Sequence, residues 1–240
     1  MPAATRVWLF DLDDTLHDAS HAAFGPTSLA MTEYIVSHLG LPHHDASALR
    51  QHYWSRYGAT LLGLMKHHAV RPAHFLEQTH RLPGLEQRLR TSAHDRAALK
   101  RLPGRKLVLT NAPRAYALRV LGALRLLGCF EAVISIEDMF MFGHPRPKPD
   151  SRMLRHVLAR LQVRPSRCVL VEDTLAHQKA ARQIGMRTVW MQRYLAGRFR
   201  PITAIRSNAG FSGGKVGVHP CRKPPYVCAK IKSHQQLLHL

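Results

Sequence analysis

The strongest constraint on this chain is a four-residue apolar run, Val7-Trp8-Leu9-Phe10, that ends abruptly in Asp11-Leu12-Asp13-Asp14-Thr15. So short a run, with no polar alternation, fits a strand buried on both faces. Comparable runs recur at 106–109, 132–136, 168–171 and 187–191. Helical patterns separate the later ones. Leu154, Val157, Leu158 and Leu161 follow helical spacing after an Asp150-Ser151 start, and a helix over 174–184 opens at Thr174 and stops at Gly185. Strand alternating with helix predicts an α/β fold, a Rossmann-like parallel sheet with helices on both faces.

Residues 20–99 break that alternation and show no strand pattern. Met31, Tyr34, Ile35, His38 and Leu39 share one helical face, ended by Gly40 and Pro42. Asp45 opens a second helix that closes near Gly58, and shorter helices are expected over 61–68 and 72–79. The expected organisation is a core of residues 1–19 and 100–195, with an all-helical insert over 20–99. Residues 196–225 carry six Lys/Arg, no acid and several Gly and Pro, and read as a flexible basic loop. An edge strand over 226–231 and a short helix over 234–240 complete the expected core.

The chain has 240 residues and a formal charge of +20, from 35 Lys+Arg against 15 Asp+Glu. Such a field attracts polyanions and phosphorylated small molecules alike. Five of the 15 acids fall in two tight clusters, Asp11/Asp13/Asp14 and Glu172/Asp173, and none follows Asp173. Acids gathered after apolar runs in so basic a chain suggest a cation site. Helix caps are the bland alternative. Cys129, Cys168, Cys221 and Cys228 form no CxxC pair, which argues for incidental thiols. No run is long enough to span a membrane, and the first apolar run is too short for a signal peptide, so a cytoplasmic location is expected.

In open parallel sheets, ligands bind at the carboxyl ends of the strands. The polar residues there are Asp11 to Thr15, Thr110-Asn111 and Glu172-Asp173, with Lys148-Pro149-Asp150 ahead of a helix. Carboxylates, a hydroxyl and an ammonium in one crevice suit phosphoryl transfer. Hard oxygen ligands favour Mg²⁺. Asp11 is positioned to attack phosphorus, Asp13 to serve as acid and base, Thr110 and amides near Asn111 to hold phosphoryl oxygens, and Lys148 to offset negative charge.

These residues resemble the four motifs of the haloacid-dehalogenase superfamily. Asp11 to Thr15 match DxDx[TV], Thr110 the second motif, Lys148 the third and Glu172-Asp173 the fourth. The resemblance spans roughly residues 5 to 195. It implies Mg²⁺ ligation by the side chains of Asp11 and Asp173 and the backbone carbonyl of Asp13. Asp13 distinguishes phosphatases and phosphomutases from the dehalogenases, which lack it. His177 departs from the Asp or Asn usual at that position.

The insert matches a cap placed after the first motif. Residues 53–64, Leu82-Pro83 and Thr110-Asn111-Ala112 resemble the pyrimidine 5′-nucleotidase-like branch. That implies a pyrimidine nucleoside monophosphate as substrate, with Asn111, Tyr53 and Tyr57 as substrate contacts. For the two tyrosines, burial in the insert's own core is the equal alternative. Arg114 can assist phosphate binding or merely start a helix. Two other readings stand beside the nucleotidase. One is a phosphatase for phosphoglycolate or a sugar phosphate. The other is a nucleic-acid-binding protein on the same fold, for which the basic tail speaks.

Overall fold

The computed structural model describes residues 6–195 and 223–240. Its strands are β1 (Val7–Phe10), β2 (Arg105–Leu109), β3 (Ala132–Ile134), β4 (Phe140–Met141), β5 (His144–Pro145), β6 (Cys168–Glu172), β7 (Arg187–Met191) and β8 (Ala229–Ile231). Six of them form one parallel sheet in the order β3-β2-β1-β6-β7-β8. β4 and β5 make a separate antiparallel hairpin. The apolar run that opens the chain therefore lies near the middle of the sheet. Its neighbours are in register, with Phe10 opposite Val108 on one side and Val171 on the other.

Side chains alternate across a strand, and the two faces serve two cores. Trp8, Phe10, Val108, Val169 and Val171 face one cluster. Val7, Leu9, Leu107, Leu109, Cys168 and Leu170 face the other. Between β1 and β2 run α1 (Ala19–Ala22), α2 (Phe24–Leu39), α3 (His43–Tyr57), α4 (Thr60–His68), α5 (Pro72–Thr79), α6 (Leu85–Arg88) and α7 (Ala93–Arg101). After β2 come α8 (Arg114–Ala123), α9 (Ser151–Arg160) and α10 (Leu175–Gln183). Helices α7 and α8 cover the first face through Leu99, Tyr116, Ala117, Val120 and Leu121. Helices α9 and α10 cover the second through Met153, Leu154, Val157, Leu158 and Ala181. Each fully buried Leu or Val contributes roughly 1.5–3 kcal/mol of transfer free energy.

The insert is all helical, and α2 to α5 pack around a cluster that Ile136, just after β3, also joins. Tyr34, Ile35, Tyr53, Leu61, Leu64, Phe75 and Leu76 pack together there. Helices α2 and α3 end in left-handed Gly40 and Gly58, as their sequences imply. α3 begins at His43, ahead of Asp45, which lies in its first turn. At Gly63 an added Cβ would stand 2.2 Å from the Cγ of Tyr53, so α3 and α4 meet at a distance only glycine allows. Leu82, Leu85 and Leu99, within the range expected of the insert, pack instead with the sheet's first cluster.

Several expected elements come out shorter. β3 stops at Ile134 because Ser135 turns the chain, its N–H and hydroxyl both donating to Asp138 Oδ2 at 2.8 and 3.0 Å. The expected edge strand over 226–231 is three residues long, β8, and the expected terminal helix is a 3₁₀ segment, His234–His239. The expected basic loop lies outside the described residues up to position 222, as does Cys221. Cys129, Cys168 and Cys228 are free thiols. Among the described residues no helix is long and apolar enough to cross a membrane.

Asp95 ties α7 to the C-terminal segment. Its Oδ1 accepts from the His234 N–H at 2.8 Å, and its Oδ2 accepts from Arg193. Burial alone would push this carboxyl up, but His234 and Arg193 outweigh it and hold the group at about 2. A lowered folded-state pKa stabilises above the unfolded value and is lost as the pH falls through the folded one. Asp95→Asn should therefore cost about 2 kcal/mol at neutral pH, and should flatten the acid limb of stability between roughly pH 4 and pH 2. Urea denaturation across that range checks both. Gly63→Ala should cost about 1–3 kcal/mol through the clash with Tyr53, read in the same assay at neutral pH.

Candidate active site

The carboxyl ends of β1, β2 and β6 meet in one buried cluster. The Asp11 N–H continues the pairing of β1, donating to the Val171 carbonyl at 2.9 Å. Its carboxylate thereby stands just beyond the strand end. Lys148 Nζ donates to Asp11 Oδ1 at 2.7 Å and to Glu172 Oε2 at 2.8 Å, with all three groups buried. The backbone of Lys148 is fixed by Asn111. Asn111 Nδ2 donates to the Lys148 carbonyl at 3.0 Å, and the Lys148 N–H donates to Asn111 Oδ1 at 2.9 Å. Asn111, expected at the substrate, thus spends its amide on orienting the lysine. Thr110 is buried at the end of β2, its Oγ1 accepting from the Ala112 N–H at 3.0 Å, which leaves its hydroxyl proton available to a ligand.

Glu172 ends β6 and is held from several sides. Its Oε1 accepts from the Thr174 N–H at 3.1 Å, and His177 Nδ1 lies 3.2 Å from Oε2. The Glu172 carbonyl accepts from Gln178 Nε2, and the Asp173 carbonyl from Trp190 Nε1, each at 2.8 Å. Carboxylate oxygens of Asp11, Glu172 and Asp173 all lie within 4.8 Å of one another. Three carboxylates against one ammonium leave an excess of negative charge in a buried site. Its effect shows on Asp11, whose carboxyl burial and the nearby Glu172 push up to about 8 against the pull of Lys148. Burial also works against the charge on Glu172, but Lys148 and His177 hold it well below the usual carboxylate range. Lys148 itself is held above the usual amine range, since the two carboxylates outweigh its burial. Hard oxygens with surplus negative charge suit a hard divalent cation. The residues present fit such an ion, and Glu172 joins the expected Asp11 and Asp173.

The loop after β1 is a tight turn, with the Leu16 N–H donating to the Leu12 carbonyl at 2.8 Å and Asp14 at φ 53°. Asp14 points away from the cluster. Its oxygens accept from the Ser20 N–H at 2.8 Å and the Ser20 hydroxyl at 2.5 Å, tying the turn to α1. Asp13 Oδ1 accepts from the Tyr116 hydroxyl at 2.9 Å and lies 3.0 Å from His17 Nε2. Burial and the Asp13 charge push the Tyr116 phenol far above its ordinary value, so it remains a donor.

Other expected contacts go elsewhere. Tyr53 is buried in the core of the insert, its hydroxyl 2.8 Å from His68 Nε2. Tyr57 is half-buried beside it, its hydroxyl 2.7 Å from His67 Nε2. Arg114 donates to the Val133 carbonyl at 2.9 Å and to Asp138, bracing the start of α8 rather than facing the carboxylates. Sequence reasoning missed Tyr116 and His17 as partners of Asp13. His17 had a signal in its position four residues on in the same loop. Tyr116 is 103 residues away and had none.

Residues 5–185 match the model of the haloacid dehalogenase-like hydrolases, and the chain belongs to that family. A phosphoglycolate phosphatase from Nitrosospira multiformis is 35% identical over 77 residues, which are 32% of this chain and 32% of that protein. The chain thus aligns with about a third of that relative's length. Among solved structures, CbbY from Rhodobacter sphaeroides, in complex with phosphate, superposes with a TM-score of 0.60 at 20% identity, over 98% of this chain and all of that one. A phosphatase of the same superfamily from Thermococcus onnurineus gives 0.58 at 18% identity, over 97% and 95%. YfnB from Bacillus subtilis, bound to magnesium, gives 0.57 at 17% identity, over 99% and 98%.

The carboxylate cluster makes a direct prediction. Asp173→Asn removes one charge with little change of shape. Isothermal titration with Mg²⁺ should show affinity weakened about tenfold or more, some 1.4 kcal/mol, while thermal stability in chelator should not fall.

Proposed function

We propose that the chain is a Mg²⁺-dependent phosphate monoester hydrolase with Asp11 as its nucleophile. The observation that carries this reading is the pairing of Asp11 with Lys148 at the end of β1, inside a carboxylate cluster. Lys148 fixes one oxygen of Asp11, leaving the other to attack. Attack on phosphorus forms an aspartyl-phosphate and breaks the ester P–O bond, while Asp13 gives a proton to the departing oxygen. Asp13 then takes a proton from water. That water attacks phosphorus, breaks the bond to Asp11 and releases phosphate. Thr110 donates its hydroxyl to a phosphoryl oxygen, and Lys148 offsets the growing negative charge. Asp11 and Asp173, with Glu172 beside them and the Asp13 carbonyl, would hold Mg²⁺, which supplies the charge that offsets repulsion between carboxylate and phosphate dianion.

Within this reading, helices α2 to α5 act as the cap that selects the rest of the substrate. A cluster drawn mainly from these helices, joined by Ile136 from just after β3, supports that division. The segment over 53–64 that resembles pyrimidine nucleotidases also carries the close approach of Gly63 to Tyr53, which packs α3 against α4. The relative named for phosphoglycolate favours a small phosphorylated acid or sugar phosphate. A phosphate-release panel with phosphoglycolate, sugar phosphates, UMP, CMP, AMP and an aryl phosphate tests both levels. Turnover should require Mg²⁺ and favour the small substrates. Asp11→Asn should lower kcat at least about a thousandfold, some 4 kcal/mol, with the fold intact by circular dichroism. A preference for UMP and CMP would favour the nucleotidase reading instead. Undiminished turnover by Asp11→Asn would end the mechanism.

A further inference from the structure

Asp13 has two partners, and both meet the same oxygen. The Tyr116 hydroxyl donates to Oδ1 at 2.9 Å, and His17 Nε2 lies 3.0 Å from that same atom. His17 is fully buried, and its other nitrogen, Nδ1, has no hydrogen-bond partner. A neutral imidazole must carry its proton on one nitrogen. Placed on Nδ1, it would leave a buried donor unsatisfied and set the Nε2 lone pair against an oxygen lone pair. Placed on Nε2, it makes a second donor to Oδ1 and leaves only an unfilled acceptor, the cheaper arrangement.

Two donors on Oδ1 occupy its lone pairs and disfavour a proton there. The other oxygen, Oδ2, is left to carry it. Both holders are packed in place. Tyr116 is buried in the first cluster on α8, its ring edge-on to His80 with centroids 5.7 Å apart. α8 also packs against the sheet through Ala117, Val120 and Leu121. His17 is anchored by the turn that carries Asp13, whose backbone it bridges.

We infer that Tyr116, assisted by His17, is a positioning residue that clamps Oδ1 of Asp13 and thereby dedicates Oδ2 to proton delivery. This rests on the phosphatase reading, in which Asp13 protonates the leaving oxygen. No bond changes at Tyr116. It keeps its proton throughout, and the proton that moves passes between Asp13 Oδ2 and the leaving group.

Leaving-group dependence tests the idea. An alkyl phosphate needs its departing oxygen protonated, whereas a nitrophenyl phosphate leaves as a stable phenolate and needs little help. Tyr116→Phe removes one hydroxyl and keeps the ring. On an alkyl phosphate that the wild type turns over, kcat/KM, which reports the steps up to departure of the leaving group, should fall about tenfold or more. On 4-nitrophenyl phosphate the fall in kcat/KM should be at least about fivefold smaller. Mg²⁺ affinity by calorimetry should match the wild type, which separates the clamp from general damage to the site. Equal losses of kcat/KM on both substrates, or a changed Mg²⁺ affinity that accounts for the loss, would overturn the clamp. So would an unaltered kcat/KM on the alkyl ester. A wild type that releases phosphate from no monoester would overturn the underlying phosphatase reading itself, before any variant is compared.

Discussion

The site depends on one ion-pair arrangement, the Lys148 ammonium set between the carboxylates of Asp11 and Glu172. All three groups are withdrawn from water, and each is tolerable there only because of the others. Removing one partner of such a buried group typically costs 3–5 kcal/mol, since a charge is left without compensation. The arrangement joins three separate parts of the chain, the end of β1, the segment before α9 and the end of β6. It therefore links the geometry of the carboxylate cluster to the assembly of the sheet. Asn111 adds a further joint by fixing the Lys148 backbone from the end of β2.

Around this centre the sheet divides its labour by parity. Successive residues of β1, β2 and β6 alternate between two cores, one closed by α7 and α8, the other by α9 and α10. Where the strands end, the same backbone path presents polar groups at a common level. The helical insert leaves this frame after α1 and rejoins it by Leu82, and the apolar cluster between is joined by Ile136 from just after β3. The α3–α4 contact at Gly63 seats Tyr53 within that cluster.

Much of this was legible in the sequence. β1 appears at its expected bounds because an unbroken apolar run of that length has few other solutions, and β7 does so although it opens on Arg187-Thr188. α2 and α3 stop at Gly40 and Gly58 because a left-handed residue ends each helix. Asp11, Thr110 and Asp173 fall at the strand ends where the sequence places them, and Lys148 falls ahead of α9. What escaped was mostly pairing across the chain. Glu172 was expected only as a neighbour of Asp173, whereas it shares Lys148 with Asp11, which depends on the depth of the lysine. Asn111 could not be told from a substrate contact, because an amide serves either end equally well on paper. Tyr53 had helical spacing that suited core and ligand alike, and only the packed insert separates them. β3 ran short because Ser135 found Asp138, a local hydrogen-bonding choice that apolar patterning does not show.

The parallel register has a consequence for how the molecule proves its own folding. Side chains on a strand alternate with period two, so a slip of β1 by one residue against β2 and β6 would exchange its two faces. Trp8 and Phe10 would be offered to the wrong core, and Asp11 would no longer meet Lys148. A misaligned chain would not hold a weakened site; it would hold none. Any chemistry measured at Asp11 therefore counts correctly registered molecules, and a preparation's specific activity becomes a census of its folding.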